Sequence, residues 1–241
     1  MLEIVYQDDH FVAINKPNGL LVHRSPIASN TDTYAVQLLR DQIDQYVHPV
    51  HRLDRKTSGV LLFALDKDVL RNVQEQFANH QTKKTYWAIL RGYSAQEGTI
   101  YYALTNEKGK SQEAITNYKT LETTEIDVPF GKHATSRYSL IEATPVTGRM
   151  HQLRKHFAHI LHPIIGDRPH GCNKQNKLFL EKWQMGTMLL HAAKLELVHP
   201  ISKKKLILEA KLSTEFSRMM KALEFEYQLP RPKDLPYKEL P

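Results

Sequence analysis

Apolar and polar positions alternate with a period of two at the start of the chain and with helical spacing further on. Residues 2 to 6 and 11 to 15 (FVAIN) read as strands, and Lys16, Pro17, Asn18 and Gly19 make a turn before LLVH. From Thr33 to about Ile43 the apolar positions Val36, Leu39 and Ile43 fall on one helical face. VLLFAL at 60 to 65 is apolar throughout, as a strand covered on both faces would be. Val69, Val73 and Phe77 mark a second helix capped near Asp66 or Asp68, and TYWAIL at 85 to 90 returns as a strand ending at Gly92.

A β-rich middle follows, with YYALT, AITNYKTL and RYSLIEATPV as strands. Residues 195 to 210 read as a hairpin whose turn presents Lys203, Lys204 and Lys205, and Ser213 caps a last helix bearing Phe216, Met219, Met220 and Leu223. Beyond Gln228, four prolines among charged residues predict an extended tail over 229–241. The pattern is α+β, without internal repeats.

Composition narrows the class. With 241 residues, 41% hydrophobic and 24% charged, the chain is of ordinary globular make-up. Lys and Arg exceed Asp and Glu by 33 to 26, a net charge of +7, which favours a polyanionic partner such as nucleic acid. One cysteine, Cys172, excludes an intramolecular disulfide framework and a multi-cysteine zinc site. The first residues lack the basic and apolar segments of a secretory signal, and no run reaches the length of a membrane span. A cytoplasmic protein without a membrane partner is expected.

The candidate chemistry sits in two motifs. HRLDRKTSG, at 51 to 59, sets Asp54 among His51, Arg52, Arg55 and Lys56 just before the buried strand, where a carboxylate stays ionised and oriented. On spacing alone, a charged turn that solvates the mouth of a strand is an equal reading. Thr57, Ser58 and Gly59 would shape the loop. The second motif, TGRMHQLRKHFAHILHPIIGD at 147 to 167, reads as a helix from about Arg149 with Met150, Leu153, Phe157, Ile160 and Leu161 on one stripe. Arg154 falls on the border of that stripe, while Lys155 and His159 point away from it. A half-buried guanidinium needs an anionic partner because it cannot lose its proton. Asp54 is one candidate and a structural glutamate another. His151, His156, His159 and His162 lack an HExxH arrangement, so no metal is expected.

These strings resemble the RluA family of pseudouridine synthases. HRLDRKTSGVLLFAL is similar to the family's catalytic-loop motif, KKTY at 83 to 86 to its second motif and TGRMHQLRKHFAHILHPIIGD to its third. INKPNGLLVH at 14 to 23 and LLHAAKLELVHP at 189 to 200 resemble the opening and closing core segments. The resemblance implies a pseudouridine synthase fold: a mixed, mainly antiparallel sheet with flanking helices and a central RNA-binding cleft. It implies isomerisation of a uridine in RNA to pseudouridine with no cofactor and no metal.

By motif position, Asp54 resembles the essential aspartate, acting as nucleophile or as base. Tyr86 resembles the tyrosine that stacks on the uracil and helps remove the C5 proton, and Arg154 the arginine that pairs with the aspartate. Arg52 resembles the arginine that fills the space of the flipped base. RNA contacts are expected from His51, Arg55, Lys84 and Arg149, together with Lys16, Lys56 and the lysine turn at 203 to 205. The details are most similar to tRNA pseudouridine-65 synthases, which implies a uridine in the acceptor/T-arm region of tRNA. A ribosomal RNA target or a non-catalytic RNA-binding protein are the alternatives. The expected organisation is a monomer with one catalytic domain, 1–228, no preceding S4-type module, and the tail.

Overall fold

The structure, a computed structural model, describes residues 1–23 and 33–228; the tail expected at 229–241 lies outside them. It divides into two compact units, one formed by Met1–Lys84 with Ala192–Lys211, the other by Thr85–His191 and the segment from Leu212.

In the first unit, β1 (Glu3–Gln7) and β2 (Phe11–Lys16) form an antiparallel hairpin. Its turn closes because the Asp8 carboxylate accepts from the backbone N–H of His10 and of Phe11. Helix α1 (Ala35–Ile43) follows and buries Ala35 and Leu39. The short β3 (His48–Pro49) and β2 both pair antiparallel with β4 (Ser58–Ala64). All seven residues of β4 are buried, as its unbroken apolar run predicts. Helix α2 (Lys67–Ala78) begins where Asp66 accepts from the N–H of Asp68 and of Val69, satisfying two of the four donors that a helix start leaves open. Its Val69 and Val73 enter a core with Phe11, Val60 and Leu62 of the hairpin strands and Leu195, Leu197 and Leu208 from further along the chain.

In the second unit, β5 (Lys83–Arg91) pairs antiparallel with β10 (Ser136–Pro145). β10 pairs with β9 (Ile115–Ile126), and β9 with β6 (Glu97–Tyr101). β7 (Leu104–Thr105) and β8 (Ser111–Gln112) make a small separate hairpin. Helix α3 (Gln152–His159) sends Leu153 and Phe157 into a core with Leu90, Ile141 and Ala143. Helix α4 (Asn173–Trp183) packs Phe179 edge-on against Tyr138, whose hydroxyl accepts from Gln175.

β11 (Leu190–Val198) and β12 (Lys205–Glu209) are the expected C-terminal hairpin, with Lys203 in the left-handed region at its turn. Ser213 caps α5 (Thr214–Ala222) by accepting from the Phe216 N–H. The α+β class and the mainly antiparallel pairing stand as expected. α4 does not follow from the pattern, since its first turns are polar and its cap residue, Cys172, makes no side-chain bond.

Candidate active site

The Asp54 loop is pinned to the turn after β2. The Gly19 N–H donates to the Arg55 carbonyl at 2.8 Å, and Arg55 Nε donates back to the Gly19 carbonyl at 2.9 Å. Asn18 Nδ2 donates to the Lys56 carbonyl. Within the loop, the Thr57 N–H closes a turn on the Asp54 carbonyl. Gly59 then enters β4 with φ +110°, and a Cβ built there would stand 2.1 Å from the Ala192 carbonyl oxygen. Only glycine lets the two backbones approach that closely.

Lys16 is the centre of this arrangement. Its side chain is wholly buried, and its Nζ donates to the carbonyls of Pro17, Leu20 and Arg55. Burial pushes the ammonium down to about 7, against the opposing pull of the Asp54 carboxylate. The expected phosphate contact is therefore wrong for Lys16. It is a buried clamp whose charge faces the loop that carries Asp54.

His51 is likewise held by the fold. Its ring stacks on Phe77 at 5.4 Å, and its Nε2 accepts from the Leu62 N–H. Burial, assisted by the nearby Lys84 cation, lowers its pKa to about 4, so at neutral pH it carries no charge to offer a phosphate. Lys84 lies 6.0 Å over the other partner of that stack, Phe77, and burial lowers its own pKa. Arg52 and Arg55 are exposed.

In the second unit, Tyr86 stands on β5 opposite Ala143 and packs half-buried against the core that holds Leu153 and Phe157. The TGR segment is tied down by Gln152. Its Oε1 accepts from Thr147 Oγ1 and the Arg149 N–H, and its Nε2 donates to the Ile115 carbonyl and Thr116 Oγ1. Arg149 Nε donates to the Glu113 carbonyl.

The helix is shorter than expected. The chain passes through His151 at φ 56° before α3 begins at Gln152, and Leu161 at φ 66° lies just past its end. Met150 and Leu161 consequently drop out of the buried stripe and are exposed. The buried face is Gln152, Leu153, Arg154, His156 and Phe157.

Arg154 is 8% exposed, deeper than a border position. Its Nε and Nη2 each donate at 2.8 Å to the two carboxylate oxygens of Asp167, a bidentate pair. Asp167 is 1% exposed, and its Oδ1 also accepts from the His170 N–H. The need of Arg154 for an anionic partner is legible in the sequence, and Asp167 is one such partner, beyond the two candidates that the sequence offers. Asp167 stands at the end of the TGRMHQLRKHFAHILHPIIGD motif, directly after the turn at Gly166.

The histidines of this region have neighbours of their own. His156 Nδ1 meets Thr116 Oγ1 while its Nε2 donates to the Tyr102 carbonyl. His162 Nδ1 donates to the Arg91 carbonyl. His151 Nδ1 lies 3.0 Å from His170 Nε2. Among the described residues no helix is long and apolar enough to cross a membrane.

Comparison with known proteins agrees with this picture. The sequence profile of the family described as RNA pseudouridylate synthase matches residues 10–159, which span β2, the Asp54 loop, Tyr86 and Arg154. The chain is 46% identical over 239 residues to the tRNA pseudouridine synthase C of Vibrio parahaemolyticus, covering 95% of this chain and 97% of that one. It is 42% identical over 241 residues to the protein of the same name from Salmonella typhi, covering 95% and 93%. Among solved structures, human RNA pseudouridylate synthase domain containing 4 superposes with a TM-score of 0.69 at 29% identity over 92% of each chain. A basic chain, a clamped aspartate loop and this likeness along nearly its whole length converge on one conclusion: it belongs to the RNA pseudouridylate synthase family.

Proposed function

We propose that this protein isomerises one uridine of a tRNA to pseudouridine, and that the uridine is residue 65, in the acceptor/T-arm region. The observation that carries the reading is the Asp54 loop: a carboxylate on a backbone fixed by the Lys16 clamp, within a sequence similar throughout to proteins named for tRNA pseudouridine synthesis. Pre-set geometry of this kind lowers the barrier because the acid need not be ordered during the reaction.

In this reading residues 1–228 act as one catalytic domain, and no cofactor or metal takes part. Asp54 acts on the nucleoside as nucleophile or base, and the glycosidic C–N bond breaks. The uracil turns, its C5 joins the ribose C1′, the C5 proton leaves with the help of Tyr86, which stacks on the base, and the freed N1 takes up a proton, so that the product is an isomer of the substrate. Arg154 steadies the Asp54 carboxylate, as the family resemblance implies. Arg52 fills the space left by the flipped base, a step that itself costs a few kcal/mol. Arg55, Lys84 and Arg149 contact the RNA backbone. His51, being neutral, serves by holding Arg52 and the loop in place. The protein works as a monomer in the cytoplasm.

Tritium release from C5-labelled uridine in a tRNA transcript tests the chemistry, and chemical mapping of the product tests the position. Asp54→Asn is expected to fold, to bind tRNA and to release no tritium. Full turnover by that variant removes Asp54 from the mechanism, and product mapping to another uridine removes the positional assignment.

A further inference from the structure

A cavity of about 390 Å³ lies between the Tyr102–Thr105 segment and helix α3, lined by Tyr102, Leu104, Thr105, Lys155, His159 and His170. That is within the range of about 300–1,000 Å³ usual for small-molecule sites. None of Asp54, Tyr86 and Arg154 lines it, and no carboxylate does. Its chemistry is aromatic and cationic, as expected where a nucleic-acid strand is held by stacking and phosphate contact.

Tyr102 is a stacking platform already built. Its ring lies on that of His159 with centroids 3.7 Å apart and planes 16° from parallel, and His156 meets it edge-on. Its backbone is fixed on both sides, the N–H donating to the Ala114 carbonyl and the carbonyl accepting from His156. Yet 42% of the residue remains open to solvent, so a further ring can extend the stack with little ordering cost. Lys155, one position past Arg154 on α3, faces this cavity while Arg154 faces inward to Asp167. The β7–β8 hairpin holds two more exposed cations, Lys108 and Lys110, on a turn closed by Asn106, whose Oδ1 accepts from both of their N–H groups.

We infer that this cavity is a second nucleotide site for the RNA substrate. It takes a nucleotide other than the one isomerised, its base stacked on the Tyr102–His159 pair and its phosphate against Lys155. The inference rests on the reading of the protein as an RNA-modifying enzyme and adds a part to it: this region helps to choose the RNA.

Equilibrium binding of a labelled tRNA transcript to the full chain is the test, because binding is read without turnover. Tyr102→Ala is expected to weaken binding about 5- to 150-fold, the range for loss of one base–aromatic stack. Tyr102→Phe, which keeps the ring, is expected to stay within about twofold of the parent. Lys155→Ala is expected to reduce the slope of log affinity against log salt by about 0.7 to 0.9, one phosphate contact. Unchanged affinity in both Tyr102→Ala and Lys155→Ala overturns the inference, as does equal weakening by Tyr102→Ala and Tyr102→Phe. A parent chain that forms pseudouridine while these variants bind normally sinks the second site and leaves the function intact. A parent that binds tRNA with the expected variant losses yet forms no product sinks the function and leaves the site.

Discussion

Removing the Asp167 carboxylate should expose how much the fold depends on one buried ion pair. Both groups are nearly inaccessible, at 8% and 1% exposure, and the two 2.8 Å bonds use one edge of the Arg154 guanidinium. In Asp167→Ala that edge of the guanidinium loses its two acceptor oxygens, and the group cannot shed its proton and stays in a poorly solvated place. Breaking a buried pair from one side costs up to about 3–5 kcal/mol, the full value applying where the surviving charge keeps no other partner; the proposed pairing of Arg154 with Asp54 makes this the upper bound. For a chain of this size each kcal/mol moves the midpoint by about 2–4 °C, so the thermal transition should fall by as much as about 20 °C.

Trp87 and Trp183, the only two tryptophans, lie in the same unit as the pair, so their fluorescence in a urea titration reports its unfolding. Asp167→Asn retains one acceptor oxygen and should lose less. The double change Arg154→Met with Asp167→Leu should recover much of the loss, since apolar groups of similar volume can replace a buried pair at little cost. A loss below about 1 kcal/mol in Asp167→Ala would mean that the pair contributes no more than an exposed one, and the argument from burial would fail. Asp167→Asn should also slow pseudouridine formation at saturating enzyme if Asp167 positions Arg154.

Gly59→Ala places a methyl group 2.1 Å from a backbone oxygen at φ +110°, so it should destabilise the protein by at least about 2 kcal/mol, read as a lowered denaturation midpoint; an unchanged midpoint would contradict the close approach of Gly59 and Ala192. Lys16 has a folded pKa of about 7 against an ordinary 10.5, so above pH 7 the unfolded chain binds the extra proton. Stability should therefore rise with pH between about 7 and 10.5, and Lys16→Met should lack that rise when compared in parallel urea titrations. A slope of the same sign appears at lower pH for His51, whose pKa falls from 6.5 to about 4: the unfolded chain takes up the proton first, so stability should drop as pH falls through that interval. His51→Gln should flatten that drop, and an equally steep one would discount His51 as its source.

What the sequence settled by itself was local or periodic. The unbroken apolar run of β4, the Asp66 cap with Val69 and Val73 behind it, and the Ser213 cap of the last helix each rest on groups a few residues apart, where spacing and hydrogen-bonding capacity decide the outcome. Family membership was legible for a related reason: the HRLD and TGRMHQLR strings carry their pattern in continuous sequence. Tertiary structure decided which charges are available. Lys16 looked like any surface lysine until the fold brought a carbonyl 39 residues away to its ammonium, and Arg154 found a buried carboxylate 13 residues on, past the end of its helix. His51 became a neutral acceptor because β4 and Phe77 closed around it. Burial and long-range pairing set the charge of an ionisable group, and both are properties of the folded chain as a whole.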